Sequence, residues 1–154
     1  MSLPPFQTFL DTHAQDVYRF LVASVGREEA DDCFQETFLS ALRAYPQVRE
    51  DSNLRAWVLT IAHRKAIDEH RARGRRPAPA DVTVEAPAQE RADYNGDVWA
   101  AVRALPEKQR AAVVHRFVND LGYADVGRII GCTEEAARRN VHEGLKKLRG
   151  EWTA

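Results

Sequence analysis

The chain has 154 residues, 44% of them hydrophobic, with eight glycines, seven prolines and a formal net charge of −1. This length allows one domain or two small ones, and the composition is typical of helical globular packing. No stretch approaches the roughly 20 apolar residues of a membrane span, and no apolar segment at the start resembles a signal peptide, so we expect a cytoplasmic protein.

The near-neutral total hides charges that are segregated along the chain. Residues 64–76 contain six Lys or Arg against two acids, and residues 138–149 contain five against one. An acidic block lies earlier and consists of Glu28, Glu29, Asp31, Asp32 and Glu36. A second, more diffuse acidic block consists of Asp81, Glu85, Glu90, Asp93 and Asp97. The near-neutral total therefore hides two basic surfaces.

Two helices are predicted at the start of the chain. Apolar residues at helical spacing over Phe6–Val25 indicate a packing helix that Gly26 ends. A second helix is predicted over 28–45, where Pro46 stops it. Its crowded acids benefit from the helix dipole but repel one another, so a charge bias at the helix start explains only part of them. The functional interpretation is an acidic docking surface for a basic partner.

The third predicted helix begins apolar and ends basic. The polar loop 46–53 can cap it, and it runs over about 54–73, with Trp57 on the apolar stripe and therefore predicted in the core. One exposed stripe then follows, whose members are spaced by four, three and four residues: Arg64, Asp68, Arg71 and Arg75. Lys65 and Arg73 lie beside this stripe. A groove that tracks a phosphate backbone requires such a one-sided cationic helix.

Residues 77–92 are predicted to be a flexible linker, because three prolines and scattered alanines show no sustained period. Folded structure resumes near Tyr94. Leu105 ends one helical face, and Pro106 suits the first position of the next helix. That helix is predicted to bury Val113, Val114, Phe117 and Val118.

Residues 123–149 predict a helix-turn-helix. Gly131 can take the left-handed conformation that ends the first helix, and Thr133 can cap the second. An apolar stripe consists of Ala137, Val141, Leu145 and Leu148. The opposite face carries Arg138, Arg139, His142, Lys146 and Arg149, which suits a major groove. A solvated amphipathic helix is the alternative for this segment taken by itself.

Several separate segments resemble one family. Residues 30–38 (ADDCFQETF), 54–57 and 61–68 are similar to region two of bacterial extracytoplasmic-function sigma factors. Residues 104–110 and 123–131, with the terminal helix, are similar to their region four. The resemblance implies an all-α protein with a region-two-like domain at 1–76, the linker at 77–92 and a region-four-like helix-turn-helix domain at 93–154.

The resemblance also implies roles for individual residues. The family's polymerase-docking motif falls on Asp32, Gln35 and Glu36, with Asp31 adjacent. The loop that holds a flipped-out base of the minus-ten element falls on Arg49, Ser52 and Asn53. The helix that follows the melted strand carries His63, Arg64, Lys65, Asp68 and Arg71. The major-groove reader of the minus-thirty-five element carries Thr133, Glu134, Glu135, Arg138, Arg139 and His142.

The implied partners are core RNA polymerase and promoter DNA, both duplex and melted. The family often uses an anti-sigma partner as well, and the apolar inner faces of the two domains are candidates for that contact. Two departures from the family pattern are glycines: Gly144 stands where a small non-glycine residue is usual, and Gly127 replaces a common alanine, which indicates close packing. Glu143 stands where many relatives have a basic residue.

Other classes of function explain less of the sequence. A stand-alone helix-turn-helix repressor leaves the acidic block and the basic third helix without a role, and an adaptor that binds polymerase or an anti-sigma factor leaves the reader helix without one. No glycine-rich phosphate loop and no nucleophile–base pair indicates an enzyme, and no cofactor is implied. His63 and His70 lack a clear third metal ligand. Cys33 and Cys132 are predicted to be reduced and buried.

Overall fold

The computed structural model describes residues 2–75 and 97–153. Every regular element in these ranges is helical, which confirms the all-α prediction; the predicted linker at 77–92 lies outside them. The elements are α1 (Phe6–Val25), α2 (Arg27–Ala44), a 3₁₀ turn (Tyr45–Gln47), α3 (Leu54–Arg75), α4 (Asp97–Arg103), α5 (Glu107–Phe117), α6 (Tyr123–Ile130) and α7 (Glu134–Thr153). In this part of the chain, no helix is both long enough and apolar enough to cross a membrane.

Helices α1, α2 and α3 pack pairwise into the first domain. Gly26, at φ 89°, allows the sharp corner between α1 and α2, and its N–H donates to the Val22 carbonyl at 2.9 Å. An aromatic cluster joins the ends of the helices, with Phe9 at 5.0 Å from Tyr45 and 5.6 Å from Trp57 between ring centroids. Helix α3 runs two residues beyond its predicted end, because glycine at position 74 lowers helix stability without stopping the helix.

Helices α4 to α7 form the second domain. Pro106 precedes α5 in an extended conformation (ψ 150°) as its cap, one position earlier than predicted. The predicted burial of Phe117 is wrong, because its side chain is 56% exposed. Helix α5 ends at this residue, and the chain turns so that Asn119 and Leu121 are buried at this end of the domain instead.

The two domains also pack directly against each other. Helix α1 contacts α2 and α3 on one side and α4 and α5 on the other, and α3 contacts α6. Consequently all six residues from position 20 to position 25 are buried, whereas one apolar stripe predicts burial of only some of them. A single hydrophobic cluster includes residues of both domains. The linker is therefore not the only connection between them.

Candidate nucleic-acid and protein-binding surfaces

The exposed face of α2 carries negative charge. The acidic docking surface, defined by Asp31, Asp32, Gln35 and Glu36, is exposed. Of these side chains, Glu36 lies 3.8 Å from the Lys65 ammonium, measured between Oε1 and Nζ. A fixed anionic patch on a rigid helix can attract and orient a basic partner.

Two leucines continue this face toward the end of α2. Leu39 and Leu42 are each 51% exposed, although large apolar side chains are normally buried. Sequence reasoning did not single them out. Their exposure could have been expected, because both leucines lie outside the buried stripe of Ala30, Phe38 and Ala41.

An open groove of roughly 660 Å³ runs along the start of α3, and we call it the α3 groove. It is lined by Asp51, Ser52, Asn53, Ala56, Trp57, Thr60, Ile61, Arg64 and Arg128. The Asn53 side chain accepts the Ala56 N–H at 3.1 Å and so caps α3. Ser52 donates its N–H to the Arg49 carbonyl at 3.1 Å, which closes the preceding turn. Of the predicted loop residues, Ser52 and Asn53 therefore line one end of the groove, whereas Arg49 is not among the lining residues.

Trp57 belongs both to the core and to the groove. One side of its ring contacts the aromatic cluster around Phe9, and the residue also lines the α3 groove while only partly buried. Trp57 therefore has the predicted core contacts and also a place on the wall of the groove. A ring fixed from behind is a preorganised stacking surface for a base.

The basic stripe on α3 is partly engaged in ion pairs. Arg64, Asp68 and Arg71 are exposed as predicted. However, Arg71 lies 3.5 Å from Glu107 of α5, and beside the stripe Arg73 lies 3.2 Å from Glu29 of α2. The helix includes Arg75, whose side chain lies outside the described part of the structure. These pairs link α3 to its neighbours as well as supplying positive charge.

His63, which the resemblance places among the DNA-binding residues of α3, is buried and lies off the exposed stripe. It is 7% exposed, and its ring centroid lies 5.8 Å from that of His115 on α5. Burial lowers the pKa of His63 to about 4, so the ring is neutral at neutral pH. Contact with DNA would require the second domain to move away.

The turn of the helix-turn-helix has the predicted conformation. Gly131 is left-handed at φ 82°, and the Thr133 hydroxyl accepts the Ala136 N–H at 3.0 Å. A Cβ on Gly127 would lie 2.6 Å from the Cys132 carbonyl oxygen, and one on Gly144 would lie 2.8 Å from Val113 Cγ2. Both glycines therefore allow helices or turns to approach closely, which explains these departures from the family pattern.

The reader face of α7 is exposed at every predicted position: Thr133, Glu134, Glu135, Arg138, Arg139, His142 and Lys146. Arg138 is held by two contacts, with its Nη2 3.3 Å from the Glu134 carboxylate and its Cζ 4.8 Å from the Tyr123 ring centroid. Arg116 lies 4.9 Å from the same ring. Sequence reasoning missed Arg116 and Tyr123, because they belong to other helices than the reader.

Neither cysteine is bonded, and no cluster of at least three His, Cys, Asp or Glu in the described ranges is suited to a metal ion. Cys33 is buried, as predicted, and burial together with nearby carboxylates, Glu69 first, raises its thiol pKa to about 11. Cys132, also predicted to be buried, is only partly buried, because it lies in the turn after α6. The buried Cys33 thiol therefore lacks the lowered pKa of a reactive cysteine.

Two family models match the chain in order. Sigma-70 region 2 matches residues 9–76, and Sigma-70 region 4 matches residues 96–148. The sigma factor SigD of Mycobacterium bovis is 32% identical over 160 residues, covering 94% of this chain and 76% of the relative. The chain belongs to the extracytoplasmic-function family of RNA polymerase sigma factors. Members of this family are non-enzymatic factors of transcription initiation.

Further relatives agree with this family and fold. The extracytoplasmic-function sigma factor SigE of Mycolicibacterium smegmatis is 30% identical over 159 residues, which cover 96% of this chain and 62% of the relative. Among solved structures, the sigma factor RpoE of Bartonella quintana, in complex with the anti-sigma factor NepR, superposes with a TM-score of 0.77 at 25% identity. The superposition covers 97% of each chain, so both domains share the architecture of that sigma factor.

Proposed function

We propose that this sigma factor binds core RNA polymerase through the acidic docking surface, holds the melted promoter strand in the α3 groove and reads duplex DNA with α7. The division of labour follows the proposed domains at 1–76 and 93–154, joined by the linker at 77–92. The observation that carries the proposal is that both region models match in order on a chain whose exposed charged surfaces fall within the matched segments.

The α3 groove has the chemistry that a melted strand needs. Extracting a base from the duplex costs a few kcal/mol, so the open state needs compensating contacts. Trp57 offers an aromatic surface, and Asn53 offers a polar group beside it. Arg64 and Arg71 add positive charge along the direction in which α3 continues. Stacking contributes about 1 to 3 kcal/mol per base, which is comparable with the cost.

The reader helix supports recognition of duplex DNA. Arg138, steadied by Glu134 and Tyr123, is suited to a bidentate contact with a base edge in the major groove. Arg139, His142 and Lys146 add donors along the same exposed helix. Because the two DNA-binding surfaces are on one chain, binding at one raises the effective concentration of the other. Neither surface has to bind tightly by itself.

Transcription in a reconstituted system tests the proposal. The chain mixed with core RNA polymerase should direct initiation at specific promoters in a genomic promoter library, which sequencing of the transcripts would identify. Polymerase binding without specific initiation would favour the adaptor, and duplex binding without polymerase binding would favour the repressor.

Charge reversal tests the docking surface. Asp32→Lys should weaken binding to core polymerase by about 10- to 100-fold, since like charges brought together at an interface cost several kcal/mol. Asp11→Lys makes the same charge change on an exposed position of α1 and should leave the affinity unchanged. Equal affinities of the two variants in a titration against labelled polymerase would remove the docking assignment.

An anti-sigma partner is also proposed. The solved relative from Bartonella quintana was crystallised with an anti-sigma factor, and it shares both domains with this chain. Leu39 and Leu42 on α2 give an apolar continuation of the docking surface that such a partner could cover in competition with polymerase. Copurification from the native host, followed by competition against core polymerase, tests this step.

A further inference from the structure

The contact between the two domains has an aromatic centre. Phe20 of α1 and His115 of α5 stack with ring centroids 4.2 Å apart and planes 10° from parallel. His63 of α3 lies at 5.8 Å from His115. All three rings are buried, and they come from helices of both domains. We call this packing of the two domains the closed arrangement.

A polar contact at the end of α5 adds to this centre. Arg55 donates to the Asp16 carboxylate at 2.8 Å and to the Asn119 carbonyl at 2.6 Å. The Asn119 side chain donates in turn to the Asp16 carbonyl at 3.1 Å. One residue of the second domain is thus bonded to both α1 and α3, which fixes the orientation of the contact.

In the closed arrangement the second domain contributes one wall to the groove that the promoter strand would use. Arg128 of α6 lines the α3 groove together with Asn53, Trp57 and Arg64 of the first domain. Helix α6 therefore occupies one wall of the groove, and His63, on the same helix as Arg64, is buried under α5. A strand that contacts His63 would have to displace the second domain.

His115 is an unusual residue at the centre of such a contact. It is 0% exposed, and neither ring nitrogen has a hydrogen-bond partner. An apolar ring of similar size would pack there without this desolvation cost. The imidazole makes the contact sensitive to protonation, because a charged ring could not remain between Phe20 and His63 without a partner.

Other ionisable groups nearby modify this sensitivity. For His63, burial lowers the pKa most, Glu107 raises it, and Arg110 and Arg64 lower it. For His115, burial lowers the pKa well below its usual range and the His63 ring lowers it further. Other charged or titratable groups around this contact include Asp16 of α1, Arg55, His70 and Arg71 of α3, Arg103 of α4 and Arg128 of α6.

We propose that the packed second domain competes with a promoter strand for the α3 surface around His63, and that the pair of His63 and His115 makes the release of this domain acid-sensitive. The competition rests on the proposed function of the α3 groove, whereas the acid-sensitive separation of the domains does not. Both histidines have a lowered pKa in the closed arrangement, so the stability of that arrangement is complete above pH 6.5 and is lost as the pH falls below it.

Small-angle X-ray scattering of the full chain between pH 7.5 and 5.5 tests the separation. When the domains separate, both histidines should recover an ordinary pKa of about 6.5. Protonation of each histidine then raises the ratio of open to closed molecules about tenfold over this pH range, and protonation of both raises it about 100-fold. The radius of gyration should rise while the helical circular dichroism signal stays constant. An unchanged radius, or an expansion that follows loss of helix, would overturn the proposal.

Variants assign the effect to the interface. In His115→Phe the stack remains but one titrating group is removed, so the acid-induced change in the ratio should fall to about tenfold. His115→Leu is the second variant if the larger ring does not fit. His142→Gln, on the exposed face of α7, should expand like the wild type. Equal expansion in all of these proteins would contradict the role of His115.

The competition is tested at constant pH with a single-stranded 20-nucleotide probe of mixed sequence. Asn119→Ala removes the bond to Asp16, and at pH 7.5 it should tighten binding of the probe about fivefold, the effect of losing one hydrogen bond that holds the domains together. Measurable binding that is equal in variant and wild type would overturn the competition. If neither the variant nor the wild type binds the probe under any condition, both the competition and the proposed function of the α3 groove are wrong. The acid-induced separation of the domains is decided by the scattering experiment alone.

Discussion

The two basic helices, α3 and α7, show similar charge patterns in the sequence but are held in different ways. Cationic side chains of α3 form ion pairs with neighbouring helices. Lys65 pairs with Glu36 and Arg73 pairs with Glu29, both on α2. Arg71 pairs with Glu107 of α5 across the contact between the domains. On the reader face of α7, Arg138 pairs with Glu134, which lies one turn earlier on the same helix.

Packing explains why α7 can keep its charges for a partner. Contacts without charge help to position the helix: the Thr133 cap, the close approach at Gly127 and the close approach at Gly144. Helix α3 depends in part on ion pairs for its position, so binding of a strand would compete with them. A basic stripe therefore does not by itself measure how much charge is available to DNA.

The largest expected effect concerns the close approach that positions α7. Gly127→Ala should destabilise the protein by about 3 kcal/mol, because the new methyl group would lie 2.6 Å from a backbone oxygen that cannot rotate away. Chemical denaturation measures this loss. In Gly150→Ala, also on a helix of this domain, the added carbon meets nothing within 4 Å, and the change should stabilise by up to about 1 kcal/mol. Equal effects at both sites would mean that close packing does not hold the reader.

A smaller effect is expected for the reader's own side chains. Arg138→Ala should cost about 1 to 3 kcal/mol of binding to the cognate upstream element and little on random duplex DNA, if the guanidinium contacts a base edge. Arg138→Lys keeps the charge but removes the planar pair of donors, so it should lose nearly as much on the cognate element. Equal losses on cognate and random DNA would reduce Arg138 to a phosphate contact.

The smallest effect distinguishes exposed from paired charge on α3. Arg64→Ala should lower the slope of log affinity against log salt by about 1, whereas Lys65→Ala should lower it by less, because Lys65 already lies near Glu36. Binding of a promoter fork by the holoenzyme at several salt concentrations provides both slopes. Identical slopes would show that the ion pair does not reduce the charge available to DNA.

Local features of the sequence predicted most of the helices and many exposed side chains. Gly26, Gly131 and Thr133 end or begin helices as expected, because their effects depend on a few neighbouring residues. The exposed positions of α2 and α7 follow from helical period in the same way. The polymerase and DNA contacts of these positions remain predictions.

The structure differs from what the sequence leads one to expect where segments distant in the chain meet. Phe117 has the spacing of a core residue but lies at a helix end from which the chain turns away. His63 has the neighbours of a DNA-binding helix but lies under α5. The sequence alone determined the helices, their caps and the separation of charge, because each depends on interactions a few residues apart. Only the tertiary structure decided that the domains share a core and partly cover the α3 groove, because that contact joins surfaces far apart in the chain whose fit depends on the folded shape of both domains.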